Sequence, residues 1–171
     1  MLKWMIRKKL DSVERRLGVS VDYLRHLLGV SLSAFFKFTK IMPIAAYRRV
    51  LPREAAHVAR IVAVRDEDCG TCLQVAVNIS VQEGVPRHTL QAVLDSRPEM
   101  LPEPLADVYR FTEAVVRSSP EADKLRDRIR RHYGDAGLVE LALAIASSRF
   151  FPIVKRTLGF ATSCAEVQVK I

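Results

Sequence analysis

Residues 67–86 read EDCGTCLQVAVNISVQEGVP, a stretch that contains two of the three cysteines of the chain. It begins with acidic residues and continues as an uncharged run long enough for about four helical turns. Asp68 is a suitable N-cap and Gly84 a suitable stop, so the pattern predicts a helix from Cys69 to Glu83. Cys69 and Cys72 stand three positions apart at its start and share one helical face.

The rest of the sequence also predicts helices. Residues 137–147 are apolar on nearly all sides apart from Glu140, which is typical of a buried helix. Gly134 is expected to end the preceding helix, and Pro152 to kink or break the buried one. Only residues 166–171 look strand-like, which is too little for a sheet, so the predicted fold class is all-α. The first helix has an apolar stripe at helical spacing, formed by Ile6, Leu10, Val13 and Leu17.

Composition places the chain among globular proteins. Of its 171 residues, 49% are apolar and 27% charged. No apolar run approaches the about 18 residues that span a bilayer, and no secretory signal is recognisable at the start. Three cysteines, two of them close together, suit a reducing compartment. The sequence therefore predicts a cytoplasmic protein, with a membrane-peripheral location as the alternative.

Charge divides the chain into two parts. Residues 1–50 hold 11 Lys and Arg but 3 Asp and Glu, which accounts for the whole net charge of +8. We therefore predict a basic N-terminal helical extension over residues 1–50 and a helical core over residues 51–171. The basic amphipathic first helix favours contact with an anionic membrane or a partner helix. The alternative is that its apolar stripe packs on the core or on a neighbouring subunit. No nucleic-acid-binding motif is present, so no nucleic-acid partner is expected.

The C-x-x-C pair can close a disulfide, because two thiols on one helical face can meet. A helix N-terminus would lower the pKa of the Cys69 thiol, whereas the acidic residues 66–68 oppose a thiolate. The alternative interpretation is two small buried apolar side chains. A zinc site would need four ligands, and neither a second C-x-x-C nor paired histidines accompany the motif. The sequence therefore predicts neither a metal nor a cofactor. Cys164 is expected to be inert.

Residues 67–86, together with YGDAGLVELALAIASSRFFPIVKRTLGF at residues 133–160, resemble the alkylhydroperoxidase D-like (AhpD-like) and carboxymuconolactone decarboxylase superfamily. The resemblance covers residues from about 50 to 160 and implies an AhpD-like helical bundle. It also implies a homo-oligomer, as a trimer, hexamer or dimer, and a protein or lipoyl-type electron donor.

The resemblance also implies roles for individual residues. Cys72 would be the attacking thiol and Cys69 the resolving one, whereas the helix-terminus argument favours Cys69 as the more acidic thiol. Ala76 stands where redox-active members carry a proton-relay histidine. His57 falls at the position of the relay glutamate, where it could transfer protons or have no role. Loss of the relay histidine weakens the expectation of peroxidase activity more than that of thiol–disulfide exchange.

Two functions remain open at this point. The first is a C-x-x-C-dependent oxidoreductase, either a thiol–disulfide oxidoreductase or a peroxidase-like antioxidant protein, with Cys69, Cys72 and His57 as catalytic residues. The second is a catalytically degenerate member acting as a binding or scaffold module. For a decarboxylase, the sequence shows nothing that binds a lactone acid. Glu140 is expected to pair with an arginine, with Arg60 and Arg149 as candidates, or to cap another helix.

Overall fold

The computed structural model describes residues 1–161, and Cys164 and residues 166–171 lie outside the described part. The all-α prediction is confirmed, since residues 1–161 contain helices and no strand. A 3₁₀ turn, Pro98–Met100, precedes the helix that begins at Glu103. The helices are α1 Leu2–Leu17, α2 Asp22–Val30, α3 Leu32–Thr39, α4 Ile41–Ala45, α5 Arg53–Arg65, α6 Gly70–Gln82, α7 Arg87–Leu94, α8 Glu103–Val116 and α9 Glu121–Thr157.

The core is built around α5, which packs against α6, α7, α8 and α9. Residues 55–59 and 61–64 are all buried, so this helix has almost no solvent face. Its small side chains allow close approach of the neighbouring helices, and Ala55, Ala59 and Ala63 have no exposed surface. The helix α6, which carries the cysteine pair, packs on α5, and Lys155 of α9 reaches the start of α6 through a hydrogen bond to Thr71.

The segment α9 confirms one sequence expectation and corrects another. Gly134 ends the first helix of this segment, because its φ of 68° and ψ of 179° are non-helical, and a second helix continues after the kink. Only glycine reaches that conformation without strain, which explains the residue. Pro152 does not break the second helix, which continues to Thr157. A proline inside a helix costs about 3 kcal/mol, and the packing of Phe150, Phe151 and Val154 against a separate apolar cluster offsets that cost.

By length and composition, α9 contains one window apolar enough to span a bilayer, which the sequence reading did not anticipate. Within the protein, 44% of that window is buried. The helix packs against α5 and α8, and its buried acid, Glu140, accepts hydrogen bonds from the segment before α5. These contacts favour a core helix.

The first 50 residues form a second apolar cluster beside the core. Its buried members come from α1, α2, α3 and the turn before α2. Gly18 ends α1 in the left-handed conformation, and the Ser31 hydroxyl caps α3 by accepting from the N–H of Ala34. Phe38 contacts the rings of Phe150 and Phe151, so the extension packs on the C-terminal end of α9.

Glu140 caps the chain entering α5 rather than pairing with an arginine. Its carboxylate accepts from the N–H of Leu51 at 2.9 Å and of Val50 at 3.1 Å. The candidate partners lie elsewhere, because Arg60 donates to the carbonyl of Ala45 and Arg149 pairs with Glu67. Burial opposes ionisation of Glu140, but the backbone hydrogen bonds outweigh it and lower its pKa below 4.5.

We expect Glu140→Ala to lower the free energy of unfolding by about 1–3 kcal/mol, because the N–H of buried Leu51 loses its acceptor. A lowered carboxyl pKa stabilises the fold above pH 4.5, and this contribution is lost as the pH falls through the folded-state value. The difference in the free energy of unfolding between wild type and variant should therefore become smaller as the pH falls. Urea unfolding at several pH values measures it, with the exposed Asp127→Ala on the same helix as control. A gap that is independent of pH would contradict the capping role.

Candidate functional site

Cys69 and Cys72 lie at the N-terminus of α6 and are joined as a disulfide, with their Cα atoms 5.3 Å apart. Cys69 is the N-cap, and its carbonyl accepts the first helical hydrogen bond from Leu73 at 2.9 Å. Cys72 is in the first turn. The predicted proximity of the two sulfurs is therefore present.

The prediction of Asp68 as N-cap is wrong. Asp68 has φ 46°, a left-handed conformation that reverses the chain after α5. Its N–H bonds to the carbonyl of Arg65 at 3.4 Å, so Asp68 belongs to the turn that ends α5. The cap shifts by one residue, and Cys69 has non-helical backbone angles, with φ −126° and ψ 88°. The sequence could not distinguish these positions, because aspartate suits both a cap and a left-handed turn.

Both cysteines are buried. Cys69 is 2% exposed and Cys72 is 7% exposed. They form a small apolar cluster with Val64, against which Leu73 and Ala161 pack. A substrate thiol would therefore reach Cys72 more readily than Cys69, and only after local movement of the groups that cover it.

A lysine contacts the motif from α9. The ammonium of Lys155 donates to the Thr71 hydroxyl oxygen at 2.9 Å. That oxygen lies 3.6 Å from the sulfur of Cys69. Because the ammonium can only donate, the hydroxyl proton of Thr71 remains free to point at the sulfur. Lys155, Thr71 and Cys69 thus form a chain of polar contacts that ends on one of the two cysteines.

The ammonium of Lys155 is held in an apolar setting. The residue is 5% exposed, and burial lowers its pKa below 10.5. It stands 5.1 Å from the ring centre of Tyr23, whose own pKa burial raises to about 12. No carboxylate of residues 1–161 forms an ion pair with Lys155. A thiolate at Cys69 would supply a negative charge beside this cation.

Two of the three acidic residues before the motif, Asp66 and Glu67, are paired with arginines. Glu67 is 7% exposed and accepts from Arg149 and Arg156 of α9. Asp66 pairs with Arg117 at 3.3 Å. In the sequence, residues 66–68 oppose a thiolate at Cys69. In the structure, the arginine partners of Asp66 and Glu67 offset much of the negative charge of those two acids.

His57 lies at the other end of α6. Its Nε2 is 2.9 Å from the Glu83 carboxylate, and its Nδ1 is 2.8 Å from the Ser80 hydroxyl. Ser80 follows Cys72 by eight residues, which is about 12 Å along a helix. Burial lowers the pKa of His57 below 6.5, although the Glu83 hydrogen bond opposes this. The structure therefore brings Cys69 and Cys72 together but does not bring His57 to them.

Ala76, one turn after Cys72, packs against the main hydrophobic core. No group of three or more His, Cys, Asp or Glu that could hold a metal occurs within residues 1–161. The arrangement that remains is a buried disulfide beside a buried ammonium.

No protein-family model, curated protein or solved structure matches the chain. The resemblance described from residues 67–86 and 133–160 therefore stays a prediction.

Sequence reasoning missed Lys155 and Thr71. Thr71 was one of the two intervening residues of the motif, and hydroxyl residues there give no signal on their own. Lys155 lies 83 residues after Cys72, within the stretch FFPIVKRTLG that was expected to be kinked. The available signal was a pair of adjacent cations, Lys155 and Arg156, directly after an apolar run of the helix.

Proposed function

We propose that this chain is an AhpD-like thiol–disulfide oxidoreductase that cycles Cys69 and Cys72 between dithiol and disulfide. The observation that carries the proposal is the contact of buried Lys155, through Thr71, with the sulfur of Cys69. A purely structural disulfide has no need of a buried ammonium, whereas a dithiol that must form a thiolate gains from one.

The exposure of Cys72, which is greater than that of Cys69, favours attack on Cys72 in the oxidised protein. In this step a substrate thiolate forms a bond to the Cys72 sulfur, and the bond between the two cysteines breaks. Its electron pair leaves on Cys69 as a thiolate, where the Thr71 hydroxyl donates to it. The second substrate thiol, losing its proton to the Cys69 thiolate, then attacks the mixed disulfide. This releases Cys72 and the substrate disulfide, so one dithiol is oxidised for each protein disulfide reduced.

This order agrees with the roles that the resemblance implies. Cys72 exchanges with the substrate, and Cys69 is both the stabilised leaving group and the resolving thiol. A low pKa of the Cys69 thiol, which the helix terminus favours, then helps Cys69 as the leaving group, because a thiol of low pKa departs faster. The resemblance and the helix-terminus argument are then compatible, because Cys72 is the cysteine that reacts with the substrate and Cys69 is the more acidic thiol.

A narrower proposal is reduction of hydroperoxides by the same pair. The Cys72 thiolate would attack the peroxide oxygen, giving a sulfenic acid and an alcohol. Cys69 would then attack the sulfenic sulfur, release water and restore the disulfide. Ala76 offers no proton at that position, so we place this activity second to dithiol–disulfide exchange. A protein or lipoyl-type dithiol is the proposed electron donor, in a cytoplasmic homo-oligomer.

A non-enzymatic binding or scaffold role is the second candidate. The burial of both cysteines and the packing of Ala76 on the core favour it, because they limit access and remove one proton carrier. In that case the disulfide would serve only to fix the start of α6.

Steady-state turnover separates the two candidates. Dihydrolipoamide serves as reductant, with a small aromatic disulfide in one arm and an alkyl hydroperoxide in the other. The proposal predicts saturable turnover at least in the disulfide arm. Failure in both arms, with a correctly folded protein and fully accessible reductant, would favour the scaffold role. Turnover with the disulfide alone would remove the peroxidase proposal and keep the exchange activity.

His57 tests whether the far end of α6 takes part. We expect His57→Gln to leave turnover within about twofold while costing about 1–2 kcal/mol of stability, since hydrogen bonds to Ser80 and Glu83 weaken. A buried histidine with lowered pKa makes the fold less stable as the pH falls below 6.5, because the unfolded chain binds the proton more readily. The variant should lose this dependence in urea unfolding. A tenfold loss of turnover at unchanged stability would instead make His57 a catalytic residue.

A further inference from the structure

The solvent-facing side of α1 carries large apolar and basic side chains together. The helix packs through the apolar stripe already described, and Leu10 is the buried residue of α1. On the opposite side Trp4 is 64% exposed and Met5 is 61% exposed. Lys8 and Lys9 follow Trp4 and Met5 by one helical turn and lie on the same side of α1. The ammonium of Lys8 lies 5.9 Å from the ring centre of Trp4. We call the following six residues the outer face of α1: Trp4, Met5, Lys8, Lys9, Arg15 and Arg16.

The acidic residues near this face already form ion pairs with another part of the chain. The acids of residues 1–50 are Asp11, Glu14 and Asp22, and all three pair with the single side chain of Arg25. Residues 23–53 contain no acid at all. Within the part of the chain that the structure describes, no basic residue of the outer face forms an ion pair. The surface therefore combines basic side chains that form no ion pair with exposed apolar side chains.

We propose that the outer face of α1 binds the surface of an anionic lipid bilayer. A helix lying in the headgroup region places tryptophan and methionine at the acyl boundary and holds lysine and arginine against the anionic headgroups. Each basic residue near such a surface contributes additional attraction, and four of them flank two apolar anchors here. The function added is peripheral membrane attachment, independent of the chemistry at Cys69 and Cys72.

The charge pattern favours a bilayer over a second copy of the chain. A two-fold contact would bring the same patch on both subunits together, so that Lys8, Lys9, Arg15 and Arg16 would face their own copies. Such a contact has no acids to pair them, since Arg25 already holds the acids of this region. An anionic bilayer is complementary in both charge and apolarity.

Trp4 is the only tryptophan in the chain, so its emission reports on this face directly. The full-length protein is titrated with vesicles of phosphatidylcholine, alone or mixed with phosphatidylglycerol. We expect a blue shift, protection from acrylamide and co-sedimentation with the mixed vesicles only, all weakening as salt is raised. Lys8→Glu with Lys9→Glu should weaken binding by roughly 30-fold or more.

A matched control has the same change of net charge elsewhere. Lys124→Glu with Arg131→Glu alters two exposed residues of α9, and we expect its vesicle binding to stay close to that of wild type. Circular dichroism checks that both double variants fold, and the free-state emission of each is recorded first because Lys8 lies over the Trp4 ring. Equal loss in both variants would mean net charge alone acts, and would overturn the assignment to α1.

Two further results would overturn the proposal. One is an unchanged Trp4 emission with mixed vesicles at low salt. The other is a fall in oligomer mass on Trp4→Ser, measured by light scattering, in a protein that does not bind vesicles. That second result would make this face a contact between subunits.

Discussion

Replacing Cys72 with serine is expected to reduce dithiol–disulfide turnover to the uncatalysed background. The proposed cycle needs a sulfur at this position twice, first as the atom attacked in the disulfide and then as the leaving thiolate. A serine hydroxyl forms no disulfide and is not a thiolate at neutral pH, so neither step has a substitute. The effect should be the largest of any single change, because it removes the reacting atom itself.

Two companion variants make this result specific. Cys69→Ser should also stop turnover, but without dihydrolipoamide its Cys72 should accumulate a mixed disulfide with the aromatic disulfide substrate, because no Cys69 thiol is present to displace it and re-form the protein disulfide. Mass spectrometry of the intact protein detects that adduct. Cys164→Ser is the matched control for the loss of a thiol, and we expect unchanged turnover. If Cys72→Ser and wild type turn over equally, the redox proposal fails. If the adduct forms on Cys69 in Cys72→Ser, the order of attack is reversed.

Removing the charge of Lys155 is expected to have the next largest effect. Lys155→Met keeps the length of the side chain but removes the cation that reaches the Cys69 sulfur through Thr71. We expect the pKa of the Cys69 thiol in the reduced protein to rise by about one unit, because an opposite charge nearby no longer favours the thiolate. Turnover at neutral pH should fall by about 3- to 10-fold, since a more basic thiolate is a poorer leaving group.

The pH dependence of alkylation by iodoacetamide, followed by mass spectrometry at each cysteine, measures this pKa. Lys155→Arg should restore most of the effect, because it keeps the positive charge. Thr71→Val preserves the shape of the side chain, removes the bridging hydroxyl, and should shift the pKa in the same direction as Lys155→Met. Lys124→Met controls for the loss of a distant cation. Equal thiol pKa values in wild type and Lys155→Met would assign the lysine a packing role only.

The sequence predicted those parts of the fold that local sequence features determine. Helical spacing, proline and glycine identified nearly every helix, because these features act within one or two turns. The exceptions were set by distant contacts. Pro152 stays helical because Phe150, Phe151 and Val154 are packed in place by the first 50 residues, and no local pattern carries that information.

The candidate site shows the same division. The pairing of Cys69 with Cys72 follows from their spacing, so it was predictable. The capping role of Glu140 was one of two alternatives, and its partners on the chain before α5 could not be read from sequence. Lys155 could not be predicted as a site residue, because its hydrogen bond to Thr71 joins residues 84 positions apart and exists only in the folded chain. His57 was aligned to a position in a motif, but α5 presents it to Ser80 and Glu83 instead.

The most direct test of the account is the reduction potential of the Cys69–Cys72 pair in the native protein. The protein is equilibrated in buffers of dihydrolipoamide and lipoamide at defined ratios, the thiols are trapped, and the reduced fraction is read by mass spectrometry. We predict one two-electron transition at a potential above about −300 mV, because the lysine beside Cys69 stabilises the reduced form. A disulfide that remains oxidised below that potential, or is reduced only after unfolding, would be structural and would contradict the proposed redox cycle.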